Sequence, residues 1–339
     1  VAETRPSAHG DVVHSRPVAV NFGDVDADSK VVVFYGANDG ILRAINGNRE
    51  PTVEKPLADV AINGVAPGDE LWAFMAPEFF PSIQRLRKND PAWRYLLTPF
   101  PLESEPKSYG VDGPITAYLG DEGAWLYATL RRGGRAAYAF DVADIASDDP
   151  SPPTLKWKIG CPNAADDVGC TAGFEGLGQT WSSAKVIKSA GYPADPDDAR
   201  APMVIMGGGY DTCEDTDNGT VNHTCVAASN GRHVYVVDAD TGVRLKTFNT
   251  ERSVVADIFV VKYKCPDSDA APADPDEPDD PATCPNIDGK AKWGYVADLG
   301  GNLYRISGAT ANTPIGTTHP KDWTMTKIAS LGCDDADLN

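Results

Sequence analysis

One unit recurs four times along this chain: an apolar run, a glycine-containing turn, and a second apolar run. The first copy is Val31-Val-Val-Phe-Tyr-Gly-Ala-Asn-Asp-Gly-Ile-Leu-Arg-Ala-Ile45. The second runs from Trp125 to Phe140 around Gly133-Gly134, and the third pairs Met203–Met206 with His233–Val237 across an insertion. The fourth runs from Trp293 to Ile306 around Gly300-Gly301-Asn302. Alternating runs joined by Asp-Gly, Gly-Gly or Gly-Asn pairs are hairpin signals, because those residues reach the backbone conformations that tight turns need. Each hairpin has a further apolar run on either side. These are Val12–Val20 and Glu70–Phe74, Val111–Tyr118 and Thr154–Ile159, Ser182–Lys188 and Arg244–Phe248, and Val254–Tyr263 and Trp323–Ile328. Four strands repeated four times predict an all-β chain, a β-propeller of four-stranded antiparallel blades. A two-sheet sandwich could use the same hairpins, but the fourfold regularity makes it the weaker reading.

The blades are expected at about 10–76, 111–160, 182–250 and 254–332, all within one propeller region covering 1–339. An insertion occupies 77–110, where Phe80, Ile83 and Leu86 at helical spacing predict a short amphipathic helix with Arg85, Arg87 and Lys88 on its solvated face. The Pro/Asp-rich stretch from Ala270 to Ala282 is expected to be an exposed loop. Four blades can close a ring, but the acidic tail after Ile328 suggests that further blades follow, which predicts an incomplete ring of a larger propeller. The absence of an initial Met and of a charged-then-apolar leader fits a piece of a longer protein.

With 42% apolar residues in 339, the chain can bury a large core. Its 30 Lys+Arg against 49 Asp+Glu give a formal net charge of -19, which argues against nucleic acid or an anionic membrane surface as partner. No run approaches the roughly 18 to 20 apolar residues of a membrane span, so membrane insertion is not expected.

The seven cysteines fall as three local pairs and one remainder. Cys161 with Cys170, Cys213 with Cys225, and Cys265 with Cys284 each bracket a loop between strands, a placement that suits disulfides in an oxidising compartment. Cys333 is left over, either as a free thiol or for a partner beyond residue 339. Zinc is disfavoured, because no Cys-x-x-Cys occurs and the histidines are scattered.

Enzyme signatures are thin. There is no Gly-x-Ser-x-Gly elbow and no His-Glu-x-x-His, and His14-Ser15 reads as strand-edge packing rather than a catalytic pair. The glycine clusters Gly173–Gly178 and Gly207–Gly209 lack the strand-to-helix setting of a phosphate loop and read as turns. No cofactor is expected, with calcium as the possible exception, since it takes six to eight oxygen ligands. Asp24, Asp26 and Asp28 occupy alternate positions of one loop, but no closing acid follows, which favours a solvated turn. Asp211, Glu214, Asp215, Asp217 and Asn218 crowd the loop bracketed by Cys213 and Cys225, which suits an ion or a plain acidic loop.

Six motifs in this order carry a resemblance: His14-Ser-Arg-Pro17, Tyr35-Gly-Ala-Asn-Asp-Gly40, Glu70-Leu-Trp-Ala-Phe74, Gly207-Gly-Gly-Tyr-Asp211, Tyr235-Val-Val-Asp-Ala-Asp-Thr-Gly242 and Ala297-Asp-Leu-Gly-Gly-Asn302. Together, from about Gly10 to Leu331, they resemble the C-terminal propeller domain of the PilY1/PilC family of type IV pili. The resemblance implies a non-catalytic factor at the bacterial cell surface or pilus tip, exported through the periplasm. Such a factor supports pilus extension, twitching motility, surface sensing and adhesion. The implied partners are minor pilins at the pilus tip and a host or surface receptor.

It also implies a calcium loop of the form Asp-x-Asp-x-Asp-Gly-x-x-Asp before the strand at Gly294–Asp298. Here Asn286 falls on the third position, Asp288 on the fifth and Gly289 on the turn position, while Cys284 and Lys292 stand where acids are expected first and ninth. The expectation is that a Cys265–Cys284 bridge orders the loop in place of the metal. Two alternatives stand beside the pilus reading. A quinoprotein dehydrogenase would resemble its class in carrying adjacent cysteines over the quinone, and this chain has none. The other is a periplasmic or surface interaction scaffold unrelated to pili.

Overall fold

The computed structural model describes residues 9–23, 29–53, 55–91, 105–163, 166–193, 202–215, 223–264 and 288–332. Among the described residues, sixteen strands form four sheets of four, each strand antiparallel to its neighbours and each sheet in chain order. The first sheet holds β1 (Val18–Asn21), β2 (Val31–Gly36), β3 (Ile41–Asn46) and β4 (Glu70–Met75), and the second holds β5 (Ile115–Gly120), β6 (Gly123–Thr129), β7 (Ala136–Asp141) and β8 (Thr154–Gly160). The third holds β9 (Lys185–Ile187), β10 (Met203–Gly207), β11 (His233–Asp238) and β12 (Arg244–Asn249). The fourth holds β13 (Phe259–Lys262), β14 (Ala291–Ala297), β15 (Asn302–Ser307) and β16 (Thr324–Ser330). These are the propeller blades that the repeat predicts, in a chain with only two short α-helices, α1 (Leu57–Val60) and α2 (Ile83–Lys88), among the described residues. No described helix is long and apolar enough to cross a membrane.

The repeat extends to a detail that composition cannot show. In every sheet the pairing of the third strand with the fourth slips by one residue, at Ala44/Ile45, Ala139/Phe140, Val236/Val237 and Leu303/Tyr304. A bulge adds twist and bends its strand, so the same device turns the outer strand of all four blades.

Two compact units divide the chain: residues 1–175 with 179–181, and residues 176–178 with 182–339. Each is a pair of blades around one core. In the first, Val32, Phe34 and Leu42 pack with Leu126, Tyr138 and Phe140. Phe74 and Trp72 of β4 meet Phe140 of β7 edge-on, with ring centroids 4.9 and 5.3 Å apart. In the second, Met203, Ile205, Val234 and Val236 pack with Val296, Ile306 and Trp323. The central strands β7 and β10 are apolar at nearly every position because both of their faces are covered.

Glycines set the spacing between the blades of the first unit. A Cβ on Gly133 would lie 1.7 Å from the Gly110 carbonyl oxygen, and one on Gly110 would lie 2.5 Å from the Gly40 nitrogen. Backbone meets backbone there, and no side chain can yield.

Three local expectations are corrected. Strand β1 begins at Val18 rather than Val12, and Val12 and Val13 are exposed. In the insertion, a 3-10 turn over Pro77–Ser82 precedes α2 and shifts the register. Phe79 is buried, whereas Phe80 and Ile83 face solvent. Arg85 is no solvated residue: its guanidinium donates to the carbonyls of Pro91, Glu105 and Pro106 and to Ser108 Oγ, tying both ends of the inserted segment together.

Candidate functional site

The loops that join second to third strands in the first, third and fourth blades carry acidic side chains held by several hydrogen bonds each. In the first blade Asp39 accepts from the Gly10 and Ile41 amides and pairs with Arg43 through two hydrogen bonds of 3.1 and 2.7 Å. Burial works to raise its pKa, but Arg43 and the amides outweigh burial and hold the carboxyl below the ordinary aspartate range. Gly40 follows with a φ of +84°, the left-handed conformation that the Asp-Gly pair announces. In the fourth blade Asp298 is buried and accepts from the amides of Arg252, Gly300 and Asn302, from Asn302 Nδ2 and from the Tyr304 hydroxyl. Burial, with the neighbouring Asp298 carboxylate adding to it, pushes the Tyr304 hydroxyl pKa up.

The third blade carries the candidate ion loop. Its two cysteines, Cys213 and Cys225, are joined as a disulfide, as are Cys161 and Cys170 in the second blade. Asp211 accepts from the Cys213 amide at 2.9 Å and the Asn230 amide at 2.7 Å, closing the two ends of the loop. Glu214 is the surprise, because its side chain is only 3% exposed. Arg252 donates to both of its oxygens and the Ser253 amide donates to Oε1 at 3.1 Å. Burial would raise the Glu214 pKa; the bonds from Arg252 and Ser253 win, and the carboxyl is held below its usual range. Asp215 accepts from the Tyr210 hydroxyl. The charge of Glu214 is therefore matched by a guanidinium 38 residues away, and the loop offers an ion less than its composition suggests. Asp217 and Asn218 lie outside the described residues, as do Asp24, Asp26 and Asp28.

At the loop where the sequence resemblance implies calcium, Gly289 has a φ of +68° and its amide donates to the Tyr263 carbonyl, as the turn position requires. Asp288 is exposed, and the Lys292 ammonium sits 5.1 Å from the Tyr263 ring centroid. A cysteine and an ammonium replace two carboxylates in this donor set, which does not fit a hard dication that takes only oxygen. Asn286, Cys265, Cys284 and Cys333 lie outside the described residues. Among the described residues, two clusters of three potential ligands occur, and each contains a disulfide whose sulfurs have no thiolate to offer.

Other partnerships in these loops were beyond sequence reasoning. His14 Nδ1 lies 2.8 Å from Oδ2 of the fully buried Asp112, across 98 residues of chain. Ser15 Oγ accepts from the Gly36 amide, so the adjacent His14 and Ser15 act on different partners and form no nucleophile–base pair. The second blade has no aspartate at its turn. Arg131 and Arg132 stand there, and Arg131 lies 4.1 Å from the centroid of the Trp181 ring.

No family model matches the chain. Curated proteins do: the type IV pilus biogenesis factor PilY1 of Pseudomonas aeruginosa, strains PAO1 and PAK, is 25% identical over 328 residues, covering 89% of this chain. The chain is related to the PilY1 family. It spans about a fifth of the length of those PilY1 proteins (21%). Among solved structures, the C-terminal domain of P. aeruginosa PilY1 is 19% identical and covers 88% of this chain and 44% of that one, with a TM-score of 0.45. A quinohemoprotein alcohol dehydrogenase from Comamonas testosteroni is 14% identical over 81% of this chain and 32% of that one, with a TM-score of 0.35. Two aspartates of the six ordered motifs, Asp39 and Asp298, are the staples of the first and fourth blade turns.

Proposed function

We propose that this chain is the propeller region of a type IV pilus biogenesis factor, working as a rigid, non-catalytic scaffold whose inserted loops make the contacts. The carrying observation is the 25% identity to PilY1 along 328 residues. The loop chemistry supports a scaffold: the described acidic side chains at the turns of the first, third and fourth blades are engaged by backbone amides, hydroxyls or arginines. Such carboxylates rigidify turns and hold no substrate. Loops on a rigid frame vary at little cost to the core, which suits them to partner contacts. The partners on this reading are minor pilins at the pilus tip, and the location is the cell surface after export through the periplasm. Adhesion to a host or surface receptor and support of twitching motility belong to the same proposal.

Fractionation tests it. Antibody against this chain should detect the full-length protein in pili sheared from the cell surface. Recovery only from the periplasmic extract would favour the scaffold unrelated to pili. The quinoprotein reading predicts dye reduction when the chain is incubated with pyrroloquinoline quinone, calcium and an alcohol; we expect no turnover.

A further inference from the structure

The turn of the second blade breaks a rule that the other three keep. Asp39, Asp211 and Asp298 staple their own loops, whereas Leu130-Arg131-Arg132-Gly133-Gly134 inverts the charge. The two arginines are held on aromatic faces. Arg131 lies 4.1 Å from the Trp181 ring centroid, and Arg132 lies 5.5 Å from that ring and 5.4 Å from Tyr109, whose hydroxyl accepts from Arg132 Nη1 at 3.2 Å. Among the described residues, no hydrogen bond reaches the Arg131 guanidinium. Fixed arginines with unfilled donors are unusual in a chain carrying a net charge of -19.

The backbone here is strained. Arg131 has a φ of +50°, a left-handed region that disfavours side chains with a Cβ. The glycine pair expected to form the turn does not take up that conformation; Gly133 is instead required by its approach to Gly110. Thr180 holds the turn in place. Its Oγ1 accepts from the Leu130 amide at 2.9 Å and donates to the Ala136 carbonyl at 2.8 Å, and its carbonyl accepts from the Arg131 amide at 3.0 Å. The next residue is Trp181, so the segment that pins the strained turn also supplies the ring beneath the guanidinium.

A second mismatch lies beside it. Asp112 is buried, its Oδ2 is bonded to His14, and its Oδ1 has no hydrogen-bond partner among the described residues. Its charge favours the charged form of Arg131, against burial, which lowers the guanidinium's pKa. An arginine and an unsaturated carboxylate in one neighbourhood would ordinarily bond to each other. Here the guanidinium lies on the indole instead. Strain and unmade bonds kept together point to function rather than stability.

We propose that the β6–β7 turn is a recognition site for a carboxylate presented by a protein partner, an aspartate or glutamate side chain gripped by the guanidinium groups of Arg131 and Arg132. Guanidinium forks match a carboxylate in two parallel hydrogen bonds, and stacking on Trp181 and Tyr109 removes much of the entropy that such a grip would cost. Nucleic acid is disfavoured by the overall charge. Acidic sugars bind through ring stacking, yet both aromatic rings already face two cationic groups each, Trp181 from the arginines and Tyr109 from Lys107 and Arg132. The site stands independently of the pilus reading, because its test needs only this chain.

The test is a titration of the 339-residue chain, labelled with 15N at arginine Nε, with the blocked peptide acetyl-Gly-Glu-Gly-amide. Saturable shifts at Arg131 and Arg132 are expected, and none with the glutamine counterpart. Arg131→Gly should weaken binding at least about tenfold, the loss of one charge-assisted fork, while the melting temperature stays level or rises because glycine accepts the left-handed backbone. Asp112→Asn should tighten binding by about twofold or more, since a nearby negative charge is removed without changing shape. Shifts that never saturate would overturn the proposal. So would equal binding of inorganic phosphate, which would mark a generic anion site, or tighter binding of galacturonate, which would mark a sugar-acid site. A fall in melting temperature for Arg131→Gly equal to that of a core substitution would assign the turn a structural role instead.

Discussion

Replacing Arg252 with methionine isolates the ion pair that occupies the candidate ion loop. Glu214 is 3% exposed and Arg252 14% exposed at the side chain, so the substitution leaves a buried carboxylate with Ser253 but without its guanidinium. Removing one partner of a buried pair costs about 3–5 kcal/mol, and the partial exposure of Arg252 puts this case near about 3. For a unit of this size, about 2–4 °C is lost per kcal/mol, so a fall of about 6–12 °C in the transition of the second unit is expected.

The pH dependence has a definite sign. The folded-state pKa of Glu214 is held below its ordinary value, so the pair's stabilisation is complete above the unfolded pKa and fades as pH falls through the folded one. Urea unfolding of both proteins at pH 7 and at about pH 3 should therefore show a large gap that narrows in acid. A penalty below about 1 kcal/mol at pH 7, the size of an exposed pair, would refute the reasoning. So would a millimolar calcium supplement that stabilises the native chain but not Glu214→Gln, since Glu214 would then be an ion ligand.

Gly133→Ala should cost about 3 kcal/mol or more, measured by urea unfolding, because its Cβ would sit 1.7 Å from the Gly110 oxygen with backbone on both sides. Gly64→Ala is the control: with a φ of +78° and nothing within 4 Å of the new Cβ, it should cost only about 1 kcal/mol. EDTA should leave the melting temperature unchanged while a reductant lowers it, as should Cys265→Ser paired with Cys284→Ser. A chelator-induced drop reversed by calcium would instead restore the metal to the loop.

The strands were legible because their signals are local. Alternation in Val31–Ile45 or Trp293–Ile306 and the turn pairs between them need no knowledge of the rest of the chain. What sequence reading missed is non-local. Glu214 reads as one more acid in an acidic loop until Arg252 folds onto it, and Asp112 gives no sign of His14 at a separation of 98 residues. The acidic turns suggested ligands because Asp supplies oxygen. In the fold, those oxygens mostly accept backbone amides, which is the other physical role of Asp in a turn. The insertion shows a third limit: one turn of 3-10 helix rotates the side chains, so Phe79 rather than Phe80 becomes the anchor. Gly133-Gly134 marks a turn without supplying its left-handed residue: Arg131 takes that conformation, and Gly133 answers to packing.

The proposed role in pilus biogenesis is tested most directly by deleting these four blades in frame, in the bacterium that encodes them, and counting surface pili by electron microscopy. The account predicts that pili are lost and that they return when the retraction motor is also inactivated, because the factor would act against retraction. Normal piliation and twitching in the deletion strain would contradict it.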